Sequence, residues 1–295
     1  MKRKTKRTIQ RAALCAGAVL VLALFTSFGA SRHSSGASED IGAASSGDVP
    51  AAVTSAAVSA APTQSVSGAS AQPVDRQDEL AAAKRANADA VAWIVMPGAE
   101  VDAAVMQGEN NAEYLQLDEL GNYSAWGCYY ADARDDLSSR AALVKNTVVY
   151  GHSQSDCDPD GERFTKLHRY TDAAYVCANP YIYLSVPGDD LVFQIAAVFF
   201  TDVSFDYINP DPAALGGSVF YDTVAAANYL AGDAASLTPD DTLLTLSTCC
   251  RQHDPERTGN HRLVVIAKLV QPDAAAPYVV TQAPNPATPW GGEHQ

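Results

Sequence analysis

The sequence predicts a mainly β domain with helical additions, built on an eight-stranded closed or nearly closed barrel. Three observations predict it. Between residues 93 and 270, eight short β-prone runs alternate with turn chemistry; a stretch of helix formers precedes them; and one helical segment interrupts them between the sixth and seventh runs.

The opening helix is expected over 75–92, "DRQDELAAAKRANADAVA", where Leu80, Ala83, Ala86 and Ala90 recur at helical spacing. Such a helix buries one narrow stripe and should pack on the flank of the domain. The strands follow at 93–96, before the Pro97-Gly98 turn, and at 101–106, 127–131, 147–150, 181–186, 191–201, 242–249 and 263–270. The interruption is 218–230, "SVFYDTVAAANYL", which sets Phe220, Val224 and Tyr229 near one helical face.

The flanks have a different character. Residues 1–11 carry six basic side chains and no acid, and residues 12–30 carry no charge. Nineteen uncharged residues behind a basic end read as a transmembrane signal anchor with a cytoplasmic tail. A cleaved secretory signal is the alternative, and the lack of a clean A-x-A site weighs against it. The expected location is therefore the plasma membrane, single-pass, with the folded domain extracellular. Residues 31–74 are Ala, Ser, Gly and Val with almost no aromatic residue, a composition that buries too little apolar surface to order itself, so a flexible stalk is expected. A Pro/Gly-rich tail is expected over 273–295, leaving 75–272 as the folded domain.

The formal net charge is −14, and the basic residues of the first segment hide part of the acidity of the rest. That balance excludes duplex nucleic acid as a partner. Of six cysteines, Cys15 lies in the apolar segment. Cys128, Cys157 and Cys177 are candidates for pairing outside the cell, without a connectivity legible from spacing. No pair has zinc-site spacing, so no metal or other cofactor is expected.

The chemistry concentrates in "LLTLSTCCRQHD", 243–254. If the strand ending at Cys249 pairs with the run that starts near His261, their connection returns Arg262 to the side of Cys249. A thiol beside a guanidinium is an activatable thiol, because the cation stabilises the thiolate and can later hold an acyl oxyanion. A cysteine nucleophile also needs a proton acceptor and donor. Of His33, His152, His168, His253, His261 and His294, His152 is singled out by its place at the mouth of "NTVVYGH", just after Gly151.

"TLSTC", 245–249, resembles the TLxTC signature of the sortases, cysteine transpeptidases of Gram-positive cell surfaces, in the form common in class B. The resemblance extends over 85–270. "AWIVMPGAEVDAAVMQGENNAEYL" resembles the class B opening, "GCYYADARDD" its third strand, "NTVVYGHSQSDCDPDGERFTKLHRY" the histidine segment, and "HRLVVIAKLV" the arginine strand.

The resemblance implies the sortase barrel, with Cys249 as nucleophile, His152 as general acid/base and Arg262 as oxyanion and substrate donor. It also implies that Ser247 and Thr248 line the substrate groove, and that 218–230 is the class B insertion. Arg251 and Arg257 stay open as alternatives to Arg262, because the connecting loop is slightly longer than is usual in the class.

The implied partners are exported proteins with a C-terminal sorting signal, and an amine of a peptidoglycan precursor or pilin. Two rivals stand beside this reading: a secreted cysteine peptidase or amidase using water as acceptor, and a non-catalytic adhesin with structural cysteines. Cys250 reads as a small buried side chain on the opposite face of the strand end, with a strained Cys249–Cys250 bond as its alternative.

Overall fold

The computed structural model describes residues 71–156, 158, 161–254, 256–272 and 278–287. The expected basic tail, apolar segment and most of the stalk (1–70) lie outside the described residues. Among the described residues no helix is long and apolar enough to cross a membrane. The expected single-pass plasma-membrane location is corrected accordingly, since the segment on which it rested, 12–30, is not among them.

Eight strands close a barrel in the order β1 (Ala90–Met96), β2 (Val101–Met106), β3 (Tyr129–Ala131), β4 (Asn146–Tyr150), β8 (Leu243–Cys249), β9 (His261–Val270), β6 (Asp189–Asp202) and β5 (Tyr181–Val186). The remaining β7 (Leu230–Ala231) and β10 (Thr281–Gln282) form a two-stranded sheet of their own. Closure is made by β1 and β5, antiparallel with Trp93 opposite Ser185. Two contacts are parallel, β2 with β3 and β4 with β8; the others in the barrel are antiparallel.

Alternation sorts each strand into two faces. Leu244, Leu246, Val265 and Ala267 join Ile94, Met96, Val105 and Phe193 in the barrel core. Leu243, Val264, Ile266 and Phe199 face outward and are covered by Phe220 and Val224. The latter two sit on α3 (Val219–Ala227), the helix between β6 and β7 that the sequence predicts.

Buried amides hold that insertion in place. Asn146 Nδ2 donates to Tyr207 O and Asn209 O, both at 3.0 Å, and Asn146 Oδ1 accepts from Thr245 Oγ1 at 2.6 Å. Asn228 lies beside the irregularity in the β6–β9 register at Ile195/Ala197. There it accepts from Val198 N at 2.9 Å and donates to Ala196 O at 2.9 Å, so backbone groups that the bulge frees from the ladder are satisfied.

The first helix differs from its expected span. α1 runs Gln77–Ala86 and buries only Leu80; Asn87 turns extended, and Ala90 to Ala92 belong to β1. Alanine favours helix, but full burial of Ala90 and Ala92 in the barrel overrides that weak preference. A short second helix, α2 (Ala173–Ala178), follows an eight-residue 3-10 helix, Phe164–Thr171, between β4 and β5.

The segment after β9 is also more ordered than expected. Tyr278 OH donates to Ile195 O at 2.8 Å, Val280 is buried, and β10 pairs with β7. A β-branched "YVVTQ" stretch meets a free strand edge there, and that pairing supplies what composition alone does not show.

Two carboxylates below β4 titrate in opposite directions. Burial pushes the Asp132 carboxyl up, but hydrogen bonds from Arg134, Tyr150 and Asn111 hold it down at about 2. Asp135, which accepts the Val148 N–H at 2.7 Å, is pushed up to about 7 by burial. A carboxyl whose folded value lies above its unfolded one stabilises the fold while protonated, and that contribution is lost as pH rises from about 4 to about 7. Asp135→Asn keeps the acceptor without the charge. It should be more stable than wild type at pH 8 by about 1–3 kcal/mol, with the difference vanishing at pH 4, as read from urea unfolding at both values. Asn228→Ala leaves buried backbone groups unpaired and should cost about 1–3 kcal/mol at either pH in the same assay.

Candidate active site

Strand β8 places the nucleophile candidate. Cys249 pairs directly with Arg262 across the β8–β9 ladder. The next pair carries a ladder hydrogen bond, Cys250 N to His261 O at 3.0 Å, which makes Cys249/Arg262 a non-hydrogen-bonded pair, the type with the closer side chains. Arg262 Nη1 donates to Gly259 O at 2.7 Å and His261 O at 2.9 Å, which steadies the guanidinium at the head of β9.

On the other side β8 runs parallel to β4, with Ser247 opposite Tyr150. Past the end of β4, Gly151 N donates to Ser247 O at 3.2 Å and Thr248 Oγ1 donates to Gly151 O at 2.8 Å. Continued two residues beyond Tyr150/Ser247, this register sets His152 beside Cys249. The end of β8 at Cys249 therefore lies between the chain segment that bears His152 and the strand that bears Arg262.

Gly151 is required by space: a Cβ there would come within 2.7 Å of the Phe164 ring and 3.0 Å of Tyr129. This close approach lets His152 O accept from Phe164 N at 2.9 Å.

The imidazole is oriented by a loop contact. His152 Nε2 lies 2.7 Å from Leu115 O. A carbonyl only accepts, so Nε2 carries the proton and donates, leaving Nδ1 as the nitrogen available for proton exchange. Trp126 meets the ring edge-on at 6.3 Å between centroids and 76° between planes.

Ser247 and Thr248 sit just below Cys249 on β8. Both are buried. Ser247 lies two residues below Cys249 on the same face, with its Oγ 2.9 Å from Tyr207 OH, while Thr248 faces the opposite way and holds Gly151. Both hydroxyls thus support the end of β8 from beneath. Tyr130 and Tyr207 are raised above the ordinary tyrosine range, chiefly by burial, and both feel the charges of Cys249 and Arg262.

The open alternatives for the arginine both lie in the loop between β8 and β9. Arg251 donates to Ser153 O at 2.9 Å and lies 3.7 Å from Asp156. Arg257 sits at a positive-φ turn in the connecting loop. Among the other histidines, His168 lies 3.6 Å from Asp156, His261 lies 3.5 Å from Asp254, and His253 meets Phe200 with 4.4 Å between ring centroids.

Cys250 turns into the core, and burial pushes its thiol up to about 12. Cys128, Cys177, Cys249 and Cys250 are free thiols, so neither a Cys128–Cys177 bond nor the strained Cys249–Cys250 bond is present. Among the described residues no group of three or more His, Cys, Asp or Glu is placed to share a metal ion.

Sequence reasoning missed Tyr207, Tyr130, Trp126 and the Leu115 carbonyl. Each arrives from a loop or strand remote in the chain, and a backbone carbonyl leaves no residue-type signal.

The fold agrees with comparisons to known proteins. Residues 94–270 match the family model of the sortase domain. Sortase B of Listeria monocytogenes is 27% identical over 195 residues, covering 66% of this chain and 75% of that protein. The structure of a Staphylococcus aureus sortase B–substrate complex superposes with a TM-score of 0.56 at 25% identity, covering 66% of this chain and 86% of that one. A Bacillus anthracis protein described as similar to sortase B superposes with a TM-score of 0.54 at 26% identity, covering 65% and 82%. With a closed barrel of the same architecture and a family match over more than half of its length, the chain belongs to the sortase family and is a class B sortase, a cysteine transpeptidase.

Proposed function

We propose that Cys249, His152 and Arg262 form the catalytic centre, cleaving the C-terminal sorting signal of exported proteins and joining the acyl fragment to a primary amine of a cell-wall precursor or pilin. The observation that carries this reading is the position of Cys249 on β8, cross-strand from Arg262 and beside the segment bearing His152.

Cys249 attacks as the thiolate, with His152 holding the displaced proton on Nδ1 while Nε2 stays bonded to Leu115 O. Attack at the carbonyl of the sorting-signal threonine forms a C–S bond, and the Arg262 guanidinium stabilises the oxyanion. His152 then protonates the leaving amine as the C–N bond breaks, which leaves a thioacyl enzyme. An incoming primary amine attacks that thioester, His152 takes its proton, and the Cys249 thiolate departs. The adhesin reading loses its support, since Cys249 is a free thiol rather than a structural cystine.

A library of internally quenched peptides randomised around a fixed threonine, assayed with and without triglycine, tests the reaction. Wild type should release fluorescence and form a triglycine adduct visible by mass spectrometry, and Cys249→Ala should do neither. Undiminished turnover by that variant would overturn the assignment, and hydrolysis without adduct would favour the peptidase reading.

Removing an oxyanion donor costs about 10²–10³-fold in kcat, so Arg262→Ala should fall by about that much while Arg257→Ala stays near wild type. The reverse ranking would move the role to Arg257.

A further inference from the structure

The two loops that carry the catalytic side chains are tied together by one carboxylate. Asp156 stands four residues after His152, and its side chain is only 11% exposed. Its Oδ2 accepts the backbone N–H of Arg251 at 2.5 Å and that of Gln252, and lies 3.6 Å from Cys250 Sγ. Its Oδ1 lies 3.6 Å from His168 Nε2 and 3.7 Å from Arg251 Nη1. His168 in turn donates to the backbone carbonyl of Cys249. Arg251 closes the loop from the other direction by donating to Ser153 O at 2.9 Å.

The backbone on both sides of the thiol is therefore held: the Cys249 peptide through His168, and the two amides after Cys250 through Asp156. Every one of these contacts ends on the segment that follows His152. Charge-assisted bonds from backbone N–H groups to a buried carboxylate are among the strong ones, and they hold little slack.

We propose that Asp156, supported by His168, is a positioning residue that locks the chain after Cys249 to the loop bearing His152 and so holds thiol and imidazole in reacting register. The inference rests on the reading of Cys249 and His152 as nucleophile and acid/base. Asp156 touches neither the substrate nor the reacting atoms; it acts through the backbone.

The test reads thiol activation separately from turnover. Iodoacetamide alkylation of Cys249, located by peptide mass spectrometry and followed from pH 5 to 9, needs no substrate. Asp156→Ala should slow alkylation at pH 7 by roughly tenfold and move the pH profile upward, because a displaced imidazole no longer sustains the thiolate. In the quenched-peptide assay its kcat should fall by roughly 10–100-fold with KM within about twofold, the scale expected when reacting groups shift by about 1 Å.

Asp156→Asn keeps an acceptor oxygen for the Arg251 and Gln252 amides and should restore most of both signals. Asp156→Glu keeps the charge, displaces the oxygens by one methylene, and should behave like the alanine variant. Thermal melts confirm that each variant is folded at the assay temperature. An unchanged alkylation profile in Asp156→Ala or Asp156→Glu, or equal losses in the Asn and Ala variants, would overturn the clamp. Absence of peptide turnover by wild type, with the alkylation differences intact, would instead overturn the transpeptidase assignment of the site and leave the clamp standing.

Discussion

The register of β8 between a parallel and an antiparallel neighbour is the constraint on which the rest of the structure depends. Parallel pairing with β4 sets the height at which His152 emerges, and antiparallel pairing with β9 sets the height of Arg262. A slip of one residue would turn Cys249 into the core and bring Cys250 to the surface. The two adjacent cysteines are thus physically unlike: one is partly exposed and paired across the ladder with an arginine, and the other is a core side chain whose proton is hard to remove. No change of composition is needed to distinguish them, only the alternation of a strand whose register is specified on both sides.

The same strand explains why so much buried polarity collects on one flank of the barrel. The insertion between β6 and β7 covers the outer face of β6, β8 and β9, and a connection of that length carries backbone groups into the interior. Asn146 answers carbonyls of the insertion, and Asn228 answers the groups freed at the bulge in β6. In return the insertion brings Tyr207 beneath Ser247, and the two hydroxyl groups are bonded to one another. An unpaired polar group at this depth would be costly, and in a low-dielectric setting a satisfied network is correspondingly stiff.

Much of this was legible in the residues themselves, for identifiable reasons. The eight barrel strands are apolar and bounded by turn residues, and α3 has an unambiguous helical face. Cys249 and Arg262 could be paired because a strand, a loop and a returning strand leave few topologies. The end of α1 was misread because alanine speaks for helix and cannot announce that it will be buried in a sheet.

Asp156, Tyr207 and the Leu115 carbonyl were invisible for a different cause. Their roles exist only through contacts made across long stretches of chain, and a carbonyl has no identity in a sequence. The order of residues 278–283 depends likewise on β7 being present with a free edge.

That long-range construction has a kinetic side. Thr248 grips Gly151 from 97 residues away, and β9, which supplies the arginine, is the last barrel strand in the chain. Contacts of such separation demand that a large loop be closed before anything is gained, so chains rich in them fold slowly. Until β9 docks, β8 has an open edge and Cys249 has no cation beside it. The order of assembly therefore withholds the guanidinium from the thiol until the barrel is complete, and a nascent or partly folded chain carries its cysteine without the cation that the finished sheet pairs across from it.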